Sequence, residues 1–284
     1  MVSRSQNLVL PEGTSTLIRN LIHERTGMFF DNGKSDLLID KLSPLVIERG
    51  FGSYLDYYYL LKYDAAAPVE WQNVVNALSV QETYFWREMD QVRVLVDKLV
   101  PEWFAKNAGS TLRIWSAACA TGEEPLTIAI ALNEAGWFQR AQIEILASDA
   151  STKAIDRARQ GVYKERAFRN LPPYLRERYF QQEGAVWRVS SDLHSRIKWG
   201  LANLMDESHI APMASSDFIF CRNVFIYFSE SAISRAVRSF AKFIRPPGYL
   251  FVGAAESLIR MTTDFTLVEL DDAFVYVKRE RPIL

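Results

Sequence analysis

The sequence predicts an α/β protein in which a doubly wound, Rossmann-like domain carries an antiparallel hairpin subdomain and follows a small all-helical domain. Two observations support this prediction. From Leu112 onward, short apolar runs alternate with amphipathic helical segments, a pattern typical of a parallel sheet covered by helices. Before about Val100, the apolar residues recur at helical spacing and strand signals are scarce. A chain of 284 residues is also long for one domain.

We therefore expect a helical N-terminal domain over residues 1–90, a helical linker that continues to about residue 108, and an α/β domain over residues 109–284. The helical domain contains four amphipathic segments, and two of them end on a glycine that can terminate a helix. These segments are LIRNLIHERTG, KSDLLIDKLSPLVIERG, SYLDYYYLLKYD and EWQNVVNALS.

The α/β domain is predicted to alternate strands with helices and to close with a hairpin. The strands are LRIWSAA, QIEILASD, DFIFCRN and GYLFVGAAES, and the helices include EEPLTIAIALNEAG, STKAIDRARQG and SESAISRAVRSFAKFIR. Two further strands, FTLVEL and AFVYVKRE, form the closing hairpin. Residues 163–203 interrupt the alternation, and we expect AVWRVSSDL and RIKWGLANL there to form a small antiparallel subdomain.

The composition argues against several classes of function. The formal net charge of -1, from 33 basic and 34 acidic residues, provides no global field that would attract nucleic acid. Cys119 and Cys221 each lie at the end of an apolar run, which favours buried, reduced thiols and a cytoplasmic protein. The three histidines are scattered, so we expect no metal site. Neither a signal peptide nor insertion into a membrane is expected.

Candidate binding residues follow the predicted strands, because ligands of open α/β sheets bind beyond the carboxyl ends of the strands. After the first strand, the run ACATGEEP places Gly122 ahead of a helix, where backbone amides can face a ligand. The run lacks the G-x-G-x-x-G pattern of nicotinamide dehydrogenases. From spacing alone, the simpler interpretation is an ordinary strand-to-helix turn, with Glu123 or Glu124 interacting with the helix dipole.

Other strand ends also carry polar groups. Asp149 can accept hydrogen bonds from ribose hydroxyls, or it can cap the next helix. Asn203 and Leu204 can flank an adenine, although an asparagine at such a position is more often a turn residue. In CRNVFIYF, Arg222 and Asn223 follow an apolar run and Tyr227 and Phe228 lie one turn further on, so polar and aromatic groups converge there. The alternative there is an arginine paired with a surface carboxylate, beside aromatic residues of the core.

The segment SVQETYFWRE lies outside the sheet, where the two domains join. If the segment is helical, Thr83 and Arg87 share one helix face, because they are four residues apart. Tyr84, Phe85 and Trp86 then attach the segment to the core. An interdomain packing helix with a solvated Arg87 accounts for the same pattern.

Taken together, these motifs resemble those of the CheR-type chemotaxis receptor glutamate O-methyltransferases. SVQETYFWRE, RIWSAACATGEEPLTIAIAL, ILASDAS, ANL and DFIFCRNVFIYF match the family's motifs in order, and the resemblance spans nearly the whole chain. It implies a class I methyltransferase fold with S-adenosyl-L-methionine as cofactor and S-adenosyl-L-homocysteine as product. The implied cofactor contacts are Gln81, Thr83, Arg87, Glu124, Asp149, Asn203, Leu204, Arg222 and Asn223. The resemblance also implies catalytic roles for Arg87 and for Tyr227, which matches a tyrosine near the reacting methyl group.

The implied reaction transfers a methyl group to glutamate side-chain carboxylates of methyl-accepting chemotaxis-type receptors. The implied partner is the cytoplasmic helical bundle of such a receptor, and we expect the enzyme to be a monomer. Two alternatives are a signalling module that binds the cofactor without catalysis, and a methyltransferase that acts on another protein or on a small molecule.

Two departures from the family pattern concern how a receptor is held. Relatives that act on chemoreceptors carry a cluster of arginines in the second N-terminal helix, whereas this chain reads DKLSPLVIERG, with Pro44, Leu45 and Ile47 at those positions. The turn between RYFQQEG and AVWRV is also shorter than in relatives that bind a receptor's C-terminal pentapeptide. We therefore expect no pentapeptide tether, and the altered helix keeps another methyl acceptor open as an alternative.

Overall fold

The structure is a computed structural model that describes residues 8–278. Its N-terminal part is all helical, as predicted. The helices are α1 (Glu12–Thr26), α2 (Ser35–Glu48), α3 (Tyr54–Tyr63) and α4 (Ala67–Leu78). Their apolar faces meet in one core, in which Ile22, Leu42, Tyr57 and Val74 have no solvent exposure. This core is separate from those of the sheet, so the helices form a packing unit of their own.

A helical segment connects the two parts of the chain, as predicted for the linker. It consists of α5 (Met89–Val94), a π-helical stretch (Leu95–Leu99) and α6 (Val100–Lys106). Its buried residues, among them Val92 and Leu95, pack into a core beside the sheet rather than into the helical domain. The domain boundaries themselves, at residues 90 and 109, stay a prediction.

The α/β part alternates strands with helices, as predicted. The strands are β1 (Leu112–Ala117), β2 (Ile143–Asp149), β3 (Val162–Lys164), β4 (Phe180–Glu183), β5 (Val186–Val189), β6 (Ile197–Leu201), β7 (Phe218–Phe220), β8 (Gly248–Phe251), β9 (Thr266–Leu270) and β10 (Ala273–Lys278). The helices are α7 (Glu123–Glu134), α8 (Trp137–Arg140), α9 (Thr152–Gln160), α10 (Pro173–Tyr179), α11 (Ser191–His194), α12 (Glu207–Ala214) and α13 (Glu230–Phe243).

The main sheet has seven strands in the order β6-β2-β1-β7-β8-β10-β9. The strands β6, β2, β1, β7 and β8 pair in parallel, and β9 and β10 form the predicted antiparallel hairpin at one edge. The last two residues predicted for the closing strand, Arg279 and Glu280, lie outside the described residues. Successive connections run in opposite directions from β1, so a ligand crevice is expected beyond the carboxyl ends of β1 and β7.

The predicted antiparallel subdomain is present, but it is smaller than expected. It has the order β3-β5-β4, with β4 and β5 joined by a tight turn at Gly184 and Ala185. The expectation that RIKWGLANL belongs to it is wrong, because β6 pairs in parallel with β2 at the edge of the main sheet. The side chains of β6 are unevenly covered, from buried Ile197 to exposed Lys198 and Leu201, which produces an apolar–polar pattern like that of an antiparallel strand.

Helices cover both faces of the main sheet. Ile128 of α7 and Ile155 of α9 belong to the core on one face, and Phe240 of α13 belongs to the core on the other. Cys119 and Cys221 are both buried and form no disulfide, as predicted. Within residues 8–278, no helix has the length and apolar character that a membrane span requires.

Candidate functional site

A cavity of about 320 Å³ lies beyond the carboxyl ends of β1, β2, β6 and β7, between the sheet and the helical domain. Every residue that the resemblance assigned to the site contributes to its lining. These residues are Gln81, Thr83, Arg87, Glu124, Asp149, Asn203, Leu204, Arg222, Asn223 and Tyr227. The structure therefore brings five separated sequence motifs together around one space.

The helical domain closes the side of the cavity opposite the sheet, and none of the site residues predicted from the sequence lies on its four helices. Lys34, Leu37 and Lys41 line the cavity from one side of α2 and the turn before it. The backbone N–H of Phe29 donates to the carbonyl of Tyr227 at 2.8 Å, which joins the two domains at the cavity. The spacing of three and four residues between Lys34, Leu37 and Lys41 indicates that they share one helix face. Helical periodicity does not indicate which part of the protein that face packs against.

The turn between β1 and α7 has an unusual backbone. Ala118 and Ala120 have φ values of 57° and 49°, in the left-handed region that costs a residue with a Cβ about 1 kcal/mol or more. Gly122 has a φ of 97°, and a Cβ there would lie 2.8 Å from the Trp199 ring, so both backbone angle and space require glycine. This strained turn of small residues brings backbone directly against the cavity, which an ordinary strand-to-helix turn does not require.

Asp149 lies at the end of β2, and its carboxylate lines the cavity. Its oxygens accept backbone N–H groups from Ser151 at 2.8 Å and from Ala120 at 3.0 Å. The cap of α9 is Ser151, whose hydroxyl accepts from the N–H of Ala154. Burial raises the pKa of Asp149 above its ordinary value, and the hydrogen bonds from Ser151 and Ala120 oppose that rise. A carboxylate with each oxygen fixed by an amide still has lone pairs that can accept a ligand hydroxyl.

Arg222 follows β7 and forms a buried ion pair with Glu124 at the start of α7. The Arg222 Nε lies 2.7 Å from the Glu124 carboxylate, and the two side chains are 2% and 13% exposed. The alternative of a surface carboxylate as partner is therefore wrong. The remaining guanidinium nitrogens donate to the carbonyls of Arg87 and Glu88, each at 3.0 Å. Arg222 thus connects the sheet, α7 and the segment between the domains.

That segment is not helical, so Thr83 and Arg87 do not share a helix face. Residues 85–88 form a turn in which Trp86 and Glu88 have φ values of 68° and 50°. The N–H groups of Phe85 and Trp86 bond to Ala167 and Thr127 rather than to a preceding turn of helix. Tertiary hydrogen bonds have overridden local helical preference here.

The turn still directs Thr83 and Arg87 to the same cavity, because buried aromatic packing fixes it. Phe85 is fully buried, and its ring contacts those of Tyr163, Phe168 and Phe180 at centroid distances of 4.9 to 5.1 Å. The guanidinium of Arg87 donates to the carbonyl of Glu82 at 3.0 Å and is 24% exposed. Arg87 therefore keeps further donors available for a carboxylate in the cavity.

Asn203 and Gln81, two of the residues assigned to the site, also form hydrogen bonds with other residues of the protein. The Asn203 amide donates to the carbonyl of Arg25 at 2.7 Å, which ties the strand end to the end of α1. Gln81 donates to the Ser151 hydroxyl at 3.4 Å and accepts from Arg157 at 3.1 Å. Both residues therefore hold the rim of the cavity together as well as lining it.

Tyr227 and Leu204 contribute in different ways. Leu204 is buried and presents an apolar surface to the cavity. The side chain of Tyr227 is 39% exposed, and within residues 8–278 its hydroxyl has no hydrogen-bond partner. That hydroxyl is available to a molecule bound in the cavity.

Glu123 is a buried carboxyl beside the β1–α7 turn. Burial raises its pKa from 4.5 to about 7, and a hydrogen bond from the Thr121 hydroxyl at 2.7 Å opposes part of the rise. Between these two pH values the folded state holds a proton that the unfolded state releases. The stability that this carboxyl contributes is therefore fully present below pH 4.5 and is lost as the pH rises through about 7.

We expect Glu123→Gln to remove this dependence on pH. The free energy of unfolding of the wild type, minus that of the variant, should fall by about 3 kcal/mol between about pH 4.5 and pH 8. Urea unfolding at the two pH values measures the difference. Glu177→Gln, at an exposed site on α10, is the matched control and should show no such change. An equal difference at both pH values for Glu123→Gln would contradict the expectation.

The lining of the cavity fits the cofactor that the resemblance implies. S-adenosylmethionine offers ribose hydroxyls, an adenine ring and an amino acid carboxylate, and it has no phosphate that would need a glycine-rich loop. The cavity supplies a partly buried carboxylate at Asp149, apolar surface at Ala150 and Leu204, and a guanidinium at Arg87. Each of these groups complements one part of that molecule.

Comparison with known proteins gives the same result. Residues 16–79 match the family described as "CheR methyltransferase, all-alpha domain", and residues 81–274 match "CheR methyltransferase, SAM binding domain". Chemotaxis protein methyltransferase 2 of Vibrio cholerae is 31% identical over 274 residues, which cover 95% of this chain and 94% of the relative. The chemotaxis protein methyltransferase of Escherichia coli is 30% identical over 272 residues, 94% of this chain and 92% of the relative. That of Borreliella burgdorferi is 32% identical over 251 residues, 86% and 87% of the two chains.

Both domains match the same family, and the similarity to each of these relatives extends over most of both chains. The fold, the lining of the cavity and these matches agree on an enzyme that transfers a methyl group from S-adenosyl-L-methionine. The chain therefore belongs to the CheR methyltransferase family.

Proposed function

We propose that this enzyme methylates glutamate side chains of a chemotaxis-type receptor and releases S-adenosyl-L-homocysteine. The observation that carries the proposal is the single cavity lined by all ten assigned residues, which opens between the two domains. The relatives are named chemotaxis protein methyltransferases, which favours a receptor as the methyl acceptor.

A glutamate acceptor requires little acid-base chemistry from the protein. Its carboxylate is already ionised at neutral pH, because its reference pKa is about 4.3. When bound, the cofactor supplies an electrophilic methyl group on a positively charged sulfur. The protein has to hold the two reactants in line and to exclude water, because a displacement that neutralises two opposite charges is favoured in a dry site.

We assign the binding roles from the contacts of each side chain. Asp149 would accept hydrogen bonds from the ribose hydroxyls, since it is the partly buried carboxylate at the end of β2 that lines the cavity. Leu204 and Asn203 would flank the adenine, and Arg87 would bind the carboxylate of the methionine part. The donors of Arg222 face Glu124 and two backbone carbonyls, so we propose that it organises the site instead of binding a carboxylate directly.

The mouth of the cavity suits an amphipathic acidic partner. Phe29, Leu37 and Ile226 surround it and are 44 to 54% exposed. Lys34 and Lys41 stand on the same side and would attract a carboxylate. We therefore propose that a helix of a receptor's cytoplasmic bundle presents its glutamate here, to a monomeric, cytoplasmic enzyme.

Other parts of the surface argue against two further receptor contacts. α2 carries Asp36, Asp40 and Glu48 but no arginine, so it would not hold an acidic bundle along its length. The β4–β5 turn of two residues offers little room for a bound peptide, so we propose that no pentapeptide tether operates.

A methyl-ester assay tests the proposed function. The purified chain is incubated with cofactor carrying a labelled methyl group and with the cytoplasmic domain of a chemoreceptor from the same organism. Base-labile label on glutamate is the expected result, and the same domain with glutamines at its methylation sites is the control. Cofactor binding without transfer to any receptor would favour a signalling module, and label on another protein or a small molecule would identify a different acceptor.

Tyr227→Phe should separate catalysis from cofactor binding. The variant loses the hydroxyl at the cavity mouth and keeps the ring, so we expect kcat to fall about tenfold to a hundredfold while the Kd for S-adenosylhomocysteine changes little. Steady-state kinetics and calorimetry measure the two quantities. Tyr174→Phe, at a 62% exposed tyrosine outside the cavity lining, is the control and should match the wild type. Full activity with weakened cofactor binding would refute the catalytic role of Tyr227.

A further inference from the structure

Glu256 collects an unusual number of backbone hydrogen bonds in the loop after β8. One carboxylate oxygen accepts the N–H of Gly253 at 2.6 Å and that of Asn223 at 2.8 Å. The other oxygen accepts the N–H of Phe225 at 2.7 Å and that of Ile226 at 3.3 Å. Three of these four donors belong to the segment that follows β7, and that segment carries Asn223 and Tyr227.

The segment needs such a partner because its backbone is irregular. Asn223 has a φ of 59°, a left-handed conformation that persists only where the surroundings hold it. Phe225 and Ile226 open a short 3-10 helix, Phe225–Tyr227, and the first N–H groups of a helix have no acceptor within it. A carboxylate at this end satisfies those donors and complements their positive partial charge.

The loop after β8 also packs tightly against the segment that follows β7. A Cβ at Gly253 would lie 2.6 Å from the side-chain amide nitrogen of Asn223 and 2.9 Å from the Glu256 carboxylate, so only glycine fits there. The Asn223 amide donates in turn to Glu88 at 3.2 Å. Glu256 is not part of the cavity lining, and its oxygens are occupied by amides, so it can affect a ligand only through this segment.

We propose that Glu256 is a positioning residue for methyl transfer. Its carboxylate fixes the backbone of residues 223–227, so that Asn223 and Tyr227 keep their places beside the bound reactants. The proposal rests on the proposed function for its kinetic readout, and its binding readout requires only the cofactor product. No residue in the loop after β8 had been assigned to the site from the sequence.

Glu256→Gln is the test variant, because it keeps the size of the side chain and replaces one acceptor oxygen by a donor amide. Two of the four N–H groups then lose their acceptor, and we expect kcat to fall about tenfold to a hundredfold. The Kd for S-adenosylhomocysteine should rise by a smaller factor. Glu269→Gln makes the same chemical change at an exposed position of β9 and should match the wild type.

A double-mutant cycle distinguishes positioning from a general loss of stability. If Glu256 acts through Tyr227, the combined Glu256→Gln and Tyr227→Phe variant should be slowed at least about fivefold less than the product of the two single effects. The same cycle with Asn223→Ala, measured on S-adenosylhomocysteine affinity by calorimetry, should also be less than multiplicative. Effects that multiply within about twofold in both cycles would overturn the proposal. Wild-type kcat and affinity in a folded Glu256→Gln variant would do the same.

Two further outcomes remain decisive. If Glu256→Gln does not fold, Glu256→Asp takes its place in both cycles, because it keeps the charge and withdraws both oxygens from the amides. If the wild type methylates no receptor, the proposed function fails, but the affinity cycle with Asn223→Ala still supports or overturns the role of Glu256.

Discussion

Replacing Arg222 by methionine is expected to lower the free energy of unfolding by about 3–5 kcal/mol. The guanidinium is 2% exposed and lies 2.7 Å from the Glu124 carboxylate, which is itself 13% exposed. Methionine has a similar length but no donors, so Glu124 would lose its cationic partner at a position that is largely shielded from water. The carbonyls of Arg87 and Glu88 would lose their donors as well. Urea unfolding at neutral pH measures the loss.

Two comparisons show whether the ion pair is responsible. The double variant Arg222→Met with Glu124→Gln should recover part of the loss, because the carboxylate that was paired with Arg222 Nε is no longer left without a cation. Arg188→Met breaks an exposed pair with Glu183, whose side chains are 49% and 40% exposed, and should cost much less than Arg222→Met because water screens an exposed pair. If Arg222→Met costs no more than Arg188→Met, the buried pair does not have the structural role that we assign to it.

The part of the site that lies at the strand ends could be predicted from the sequence. Parallel strands place their carboxyl ends along one edge, so Asp149 at the end of β2 and Arg222 after β7 lie at the same edge of the sheet, although they are far apart in the chain. The strand and helix segments themselves followed from the apolar pattern. Only the resemblance to the family assigned roles to Gln81 and Tyr227. The spacing of residues in the sequence did not indicate a role for either of them.

The remainder depends on tertiary contacts that have no local signal. The turn at residues 85–88 reads as helical, but its N–H groups bond to Ala167 and Thr127. Lys41 of α2 and Lys34 of the turn before it line the cavity because the helical domain packs against the sheet, and periodicity does not encode that arrangement. Glu256 could not be predicted for a related reason. Its carboxylate accepts hydrogen bonds from four backbone N–H groups, and because every residue except proline has such a group, no residue type in the sequence marks the contact.

Asp149→Ala should weaken cofactor binding by about a hundredfold or more. A carboxylate that accepts hydrogen bonds from two ribose hydroxyls loses both, and a hydrogen bond to a charged group contributes about 1.5–3 kcal/mol. Calorimetric titration with S-adenosylhomocysteine measures the change without any need for a methyl acceptor. Asp156→Ala, at a 65% exposed position on α9, is the matched control and should bind as the wild type does.

A second variant separates ligand contact from loop structure, because Asp149 also accepts the N–H groups of Ser151 and Ala120. Asp149→Asn keeps one acceptor oxygen near these amides and loses the charge that strengthens hydrogen bonds from the ribose hydroxyls. If the carboxylate binds the ribose, Asp149→Asn should lose most of the affinity that Asp149→Ala loses, and its unfolding midpoint should stay closer to that of the wild type. Unchanged affinity in both variants would remove Asp149 from the cofactor site. Loss of affinity only in the alanine variant would mean that Asp149 supports the turn at Ala120 and does not bind the ligand itself.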